Sequence, residues 1–377
     1  MKIIIEKSIL LEALQLVVSI SPKASTQSVI NNVFLEALTI SGENYLQVKA
    51  TNYDKTFLGY FPVEIVEPGQ LCMNTYRLFN LTKEFRGTSV EIRSTPQNWV
   101  FLTCDHSQVK LPCIDSGLFP VVEFRELTNQ FQLPAQLFKN AIDRTIFCIG
   151  ENESRKNLMG LNLQILSSTQ IRWLGADGFR IAQFITNLEN KIESAGNIII
   201  PKNALLDIKK ILTLSEEDIT ICFNENEIQV LSERIKFKTR LIEADFPNLD
   251  TLLTSIGKIK VSIAKDEIIN AIRIIHTLTE GEPNSFVKFT FQDGKLLISS
   301  QKLDFGEGND EIYCDYDDEE VNIGLNVRLL LEALQSFESS PDDMIYFNFS
   351  KTVTPVSLTC EEWENFLTIL MPVQIEW

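Results

Sequence analysis

The sequence is poor in the residues that usually carry chemistry. Its only histidines are His106 and His276, 170 positions apart. It contains no H-E-x-x-H, Walker loop, Rossmann glycine pattern or nucleophile elbow. No cofactor or metal site is therefore expected. The seven cysteines (72, 104, 113, 148, 222, 314 and 360) are scattered, odd in number and without a C-x-x-C pair. That usage reads as reduced, mostly buried thiols in a cytoplasmic protein. No stretch approaches 18 uncharged apolar residues, so no membrane-spanning helix is expected. The opening MKIIIEKS has a three-residue apolar run before charge returns, too short for a signal peptide. Positive charge is scarce as well: 34 Lys and Arg against 51 Asp and Glu give a net charge of −17. Spread evenly, that balance would repel nucleic acid.

What is present is repetition. IEKSILLEALQ from Ile5, LPAQLFKNAID from Leu133 and IAKDEIINAIR from Ile263 share one pattern. Each has an apolar residue, a short polar entry and a helical run, with alanine eight residues on: Ala13, Ala141 and Ala271. A second set lies between them: MNTYRLFNLTK from Met73, IPKNALLDIKK from Ile200 and LNVRLLLEALQ from Leu325. In the middle member Ala204, Leu205, Ile208, Ile211 and Leu212 share a face, with Lys202, Asp207, Lys209 and Lys210 opposite. Between helices the pattern switches to period two, as in 33–51, 162–176 and 286–300, where Asp293-Gly294 is a hairpin signal. The chain therefore reads as α+β, three similar domains at 1–127, 128–254 and 255–377, each with two helices and antiparallel sheets. The acidic run at 307–320 reads as a solvated loop.

The charge follows this organisation. With helices at 6–18, 75–86, 134–146, 201–213, 264–275 and 327–337, the helical segments hold 12 Lys and Arg against 8 Asp and Glu. The helices are net cationic and the remainder strongly acidic, which suits helix faces turned toward an anion and sheets turned away. Helices pack roughly 8–10 Å apart, so a ring of six axes is about 20 Å across and nearly filled by the helix bodies. Twelve give roughly 35–40 Å, room for a duplex, and twelve helices require two chains closed head to tail.

Six stretches in order now carry a resemblance: NLMGL (157–161), GADGFRIAQ (175–183), IPKNALLDIKKIL (200–212), RLIEADFPNLDTLL (240–253), IGLNVRLLLEAL (323–334) and ILMPVQI (369–375). The whole chain resembles the bacterial DNA polymerase III beta subunit family, the sliding clamps. The resemblance implies a DNA-clamp fold with helices on the inner face and sheets outside, closed as a homodimer around duplex DNA without sequence preference. It implies no catalytic activity, and polymerase subunits and a clamp loader as peptide-bearing partners. The implied peptide-binding groove, at the junction of the second and third domains, uses Arg155, Leu158, Ala176, Gly178, Phe179, Arg180, Ile181, Pro247 and Leu252. Asn326, Leu329, Val356, Ile369, Leu370, Met371, Pro372 and Val373 complete it. A histidine is typical of the family where Phe179 stands, an arginine where Thr251 stands and a tyrosine where Leu329 stands. The tail Ile375-Glu376-Trp377 also departs from the pattern.

The DNA-facing candidates are Lys23, Arg77, Lys83, Lys139, Lys202, Lys209, Lys210 and Arg273. Phosphate contacts of that kind are salt-sensitive and blind to sequence. For ring closure the family pairs edge strands of the first and third domains, and Val109 and Leu111 against Thr277 and Leu278 are the candidates. Two alternatives compete. Asp54 and Asp177 could form an acid–base pair, yet each follows an alternating strand, where turn chemistry explains it. A repeat-built interaction scaffold that never encircles DNA would use the same groove.

Overall fold

The computed structural model describes residues 1–23, 28–193, 195–214, 217–279, 285–300, 306–351 and 354–374. The tail Ile375-Glu376-Trp377 lies outside the described residues. Seven α-helices occur among them: α1 (Lys7–Val17), α2 (Thr75–Glu84), α3 (Ala135–Thr145), α4 (Lys202–Thr213), α5 (Asp250–Thr254), α6 (Lys265–Leu278) and α7 (Val327–Gln335). All but the short α5 are the helices that the periodicity predicts, with ends shifted by at most three residues. Ala13, Ala141 and Ala271 are buried, at 0%, 0% and 2% exposure. A methyl group there lets each helix approach its sheet closely. The N-termini of α2 and α7 are capped alike: the Asn74 side chain accepts from the Arg77 amide and Asn326 from the Leu329 amide.

The alternating runs form hairpins. Asn32–Ile40 pairs with Glu43–Thr51, Gly160–Ser167 with Gln170–Ala176, and Phe286–Gln292 with Lys295–Ser300. Ser41-Gly42 and Asp293-Gly294 both take positive φ throughout, the primed turn that matches strand twist.

By contact density the chain forms two compact units. The first comprises Met1–Lys139, Asn190–Ala195 and Asn203–Leu241; the second comprises Asn140–Glu189, Gly196–Lys202 and Ile242–Trp377. Each is built on an eight-stranded antiparallel sheet that crosses a junction between repeats. In the first unit the seam is Ile235–Arg240 against Lys55–Pro62, with Phe237 opposite Phe57. In the second it is Arg180–Asn187 against Phe366–Leu370, with Ile181 opposite Ile369. The first unit also holds a five-stranded sheet ending in Ser107–Pro112, and the second a four-stranded sheet ending in Asn309–Tyr313.

Beside the first seam lies a buried ion pair. Lys55 Nζ stands 2.6 Å from Asp207 Oδ2, with side chains 8% and 4% exposed. Ser19 Oγ donates to Asp207 Oδ1 at 2.6 Å, and Lys210 Nζ donates to Ser19 Oγ at 2.9 Å. Asp207 therefore does not share the solvated face of α4 with Lys210, as periodicity alone suggests. It points into the protein because a cation from another repeat meets it there.

The seven cysteines are free thiols, five of them buried. Burial pushes the Cys72 thiol up to about 12, with Cys113 nearby adding to the shift. Such a group is an apolar core residue rather than a nucleophile.

Lys55→Met should destabilise the first unit by about 3–5 kcal/mol, because buried Asp207 loses its nearest cation and keeps only Ser19 and the more distant Lys210. Lys55→Met with Asp207→Leu should recover most of the loss. Denaturant titration of both variants checks the pair.

Candidate functional site

The opening of the second unit's site is set by one turn. Strand Gln170–Ala176 ends at Asp177-Gly178, and Arg180–Asn187 returns beside it. Asp177 Oδ1 accepts from the Phe179 and Arg180 amides at 2.9 and 3.0 Å, and Gly178 takes φ +93°, so the turn folds around its own carboxylate. A Cβ at Gly178 would also collide with the Arg155 guanidinium lying over it. Asp54 sits in a similar turn, where Asn52 Oδ1 accepts the Asp54 and Lys55 amides and Arg240 Nε lies 3.4 Å from Asp54. Turn geometry accounts for both aspartates.

Past the turn Phe179 and Ile181 lie on one side of the strand and Arg180 on the other. Phe179 is 62% exposed, Arg180 4% and Ile181 6%. The buried Arg180 has four acceptors: Asp177 Oδ2 at 2.9 Å, Phe147 O at 2.5 Å, Glu332 Oε2 at 2.6 Å and Leu329 O at 3.3 Å. Burial works against its charge, but Cys148, Glu332 and Asp177 outweigh it and hold the guanidinium above its ordinary value. Burial drives the neighbouring Cys148 thiol well above its own. Arg180 is thus a structural peg beneath the turn, with four of its five N–H donors engaged.

Above it Ala176, Ile181 and Ile369 form a row across three strands. With Leu158, Leu174, Leu253 and Leu367 they make one apolar cluster, against which Phe246, Leu249 and Leu252 pack while still partly open. Leu158 closes the 3-10 segment Glu153–Leu158, and Leu252 and Leu253 come from α5. The rim is apolar too. The Met371 amide donates to Phe179 O at 2.9 Å, which sets these two residues side by side, and Met371 is 42% exposed. The result is an apolar cluster with Phe179 and Met371 exposed at its edge and the Arg155 guanidinium over Gly178.

Leu158, Ala176, Ile181, Leu252 and Ile369 meet in the cluster, with Arg155, Gly178, Phe179 and Met371 around it. Pro247 is half-buried in the connection leading to α5. Val356 and Leu370 oppose each other in the ladder and are core, at 1% and 2% exposure. Asn326 is occupied as the α7 cap, and Leu329 supplies its carbonyl to Arg180. Pro372 and Val373 are half-buried, with the Val373 amide on Gly324 O at 2.9 Å. Sequence reasoning missed Leu174, Leu249, Leu253, Leu367 and Phe246. Two were within reach, since Leu174 and Leu367 stand two residues before Ala176 and Ile369 and so share their faces.

Of the basic candidates, Lys23, Arg77 and Lys83 are exposed and Lys139 and Lys209 half-buried. Lys202 pairs with Glu151 at 2.8 Å, Lys210 lies 3.5 Å from Asp207, and Arg273 pairs with Glu338. Val109 and Leu111 are half-buried on Ser107–Pro112, an edge strand paired only with Trp99–Cys104. The placement of Thr277 and Leu278 needs correcting. They lie in the last turn of α6, not on an edge strand. The helix runs three residues beyond its expected end because the apolar periodicity continues through Ile275 to Leu278. The free edge of that sheet on this side is Asn309–Tyr313. Among the described residues no cluster of His, Cys, Asp or Glu could hold a metal, and no helix is long and apolar enough to cross a membrane.

A repeat-built α+β chain whose sheets run through its junctions, with an apolar cluster beside one of them, has the DNA-clamp fold. The chain belongs to the DNA polymerase III beta subunit family. Its N-terminal, central and C-terminal domain models match residues 1–123, 132–248 and 251–374. The beta sliding clamp of Chlamydia muridarum is 24% identical over 377 residues, covering 100% of this chain and 99% of its own. That of Staphylococcus aureus is 25% identical over 340 residues, covering 90% and 89%. The Pseudomonas aeruginosa clamp, solved with griselimycin bound, superposes with a TM-score of 0.89 at 21% identity, each chain fully covered. The Streptococcus pyogenes beta subunit gives 0.88 at 20% identity, again with full coverage. The chain is thus related to proteins of DNA replication.

Exposed rim residues hold little of the fold. Phe179→Ala with Met371→Ala should change stability by no more than about 0.5 kcal/mol per site. Ile369→Ala, in the floor, should cost about 2–4 kcal/mol. Thermal and denaturant unfolding separate the two.

Proposed function

We propose that the chain is a sliding clamp, a processivity factor without catalytic activity of its own. Two copies close head to tail around duplex DNA, and polymerases and a loader dock through linear peptides. In this reading the repeats 1–127, 128–254 and 255–377 become six in the closed ring. Lys23, Arg77, Lys83, Lys139, Lys202, Lys209, Lys210 and Arg273 face the phosphates. The observation that carries the proposal is the groove of Leu158, Ala176, Ile181, Leu252 and Ile369, with its exposed Phe179 and Met371 rim, in a chain of this replication family. An aliphatic floor with a methionine at its edge suits one groove serving several peptides. With Phe179, Thr251 and Leu329 where the family carries polar or aromatic residues, the preferred peptides should be more apolar. A scaffold that never encircles DNA draws on one observation: Lys202, Lys210 and Arg273 already have carboxylates.

Two measurements test this. Loaded by its cognate ATP-dependent loader, the protein should stay on nicked circular DNA and slide off once the circle is cut. Equal retention on both forms refutes encirclement and leaves the scaffold. Phe179→Ala with Met371→Ala should weaken polymerase-derived peptides by about tenfold or more in titration, while unchanged affinity removes the groove assignment.

A further inference from the structure

The two junctions inside the chain use the same device. Lys55 and Arg180 each open the strand that follows an Asx-type turn, and each is buried. Their carboxylates, Asp207 and Glu332, are each the sixth residue of a helix, α4 and α7. A third group completes the seat: Ser19 donates to Asp207 at 2.6 Å, and Phe147 gives its carbonyl to Arg180 at 2.5 Å. Ser19 and Phe147 both stand at the thirteenth position counted from the start of α1 and α3.

The same count reaches the two halves of the device that find no counterpart within one chain. The sixth residue of α2 is Asn80, and it is exposed. The thirteenth position of α6 is Thr277, also exposed. The pairings Lys49–Leu58, Leu174–Gln183 and Ser299–Asn309 correspond along the ladders, and carrying them to the strand start puts Gly306 where Lys55 and Arg180 stand. Neither Asn80 nor Gly306 carries a charge. The strand edges are present: Thr239 opposes Lys55 and Leu370 opposes Arg180 at the internal seams, and the matching residue of the last strand of the first repeat is Leu111. Continued across two copies, this register sets Leu111 against Gly306, Val109 against Gly308, and the exposed Lys110 against the exposed Glu307.

We propose that the junction between two copies repeats the strand register and helix seat of the internal junctions but omits their buried ion pair. Asn80 and Thr277 face each other across it, with Gly306 in place of the cation. This rests on the head-to-tail dimer of the preceding reading and specifies its interface. A charge buried at a permanent junction is always paired. At a junction that separates, each opening would strand a carboxylate and a cation, and each closing would have to desolvate both. Neutral residues at 80 and 306 avoid that cost and leave a seam held by backbone hydrogen bonds, apolar contact and an exposed pair.

The test places charges at the helix seat, on two exposed helical positions that fold without them. Thr277→Lys with Asn80→Asp rebuilds a cross-copy pair where Ser19 and Asp207 touch in the internal copy. It should tighten dimerisation by about tenfold or more over either single variant in sedimentation equilibrium at low salt. Thr277→Lys with Asn80→Lys should weaken it by a similar factor. Circular dichroism of each variant confirms that the fold is kept. A wild-type dimer whose affinity ignores both double variants overturns this interface while leaving the dimer intact. A wild-type chain that stays monomeric at every concentration overturns the dimer reading and this interface with it.

Discussion

The structure depends on a buried cation held by a carboxylate from the neighbouring repeat. Lys55 with Asp207, and Arg180 with Glu332, each stand where a strand leaves a tight turn and a helix from the next repeat arrives. Separated from Asp207, Lys55 would sit in a low-dielectric interior without a carboxylate, a cost of several kcal/mol, and Arg180 without Glu332 would keep Asp177 as its one carboxylate. The pairs therefore fix which helix seats on which turn. The strand seams beside them then run without a break, Phe237 opposite Phe57 and Ile181 opposite Ile369.

In the second unit this junction also carries the apolar cluster. Arg180 pegs the turn from below, Asp177 folds it from within, and the alternation of the strand puts Phe179 and Ile181 on the side opposite Arg180, Phe179 exposed and Ile181 buried. The Met371 amide ties the C-terminal segment to Phe179. Arg180, an attractive peptide contact by residue type, is buried with four of its five N–H donors engaged.

Much of the architecture was legible in the sequence. The spacing of Ala13, Ala141 and Ala271 located the first helix of each repeat, and period-two runs located the hairpins, because burial of one face imposes its period directly on the residues. Leu174 and Leu367 were legible in the same way. The roles of Asp207, Thr277 and Leu278 were not. Helical periodicity sets Asp207 beside Lys210 on the polar side of α4, and only a lysine 152 residues away turns it inward. The end of α6 misled because a β-branched residue and a leucine fit a strand edge as well as a last helical turn.

The sequence by itself determined the repeated units, their helices and hairpins, and the acidic balance outside the helical segments, since these follow from local periodicity and composition. Only the tertiary structure decided which charges are buried partners, which apolar residues line a groove rather than fill a core, and where the compact units divide. Those outcomes depend on contacts between residues more than a hundred positions apart. The free energy of a buried pair or a shared sheet edge exists only once both members are in place.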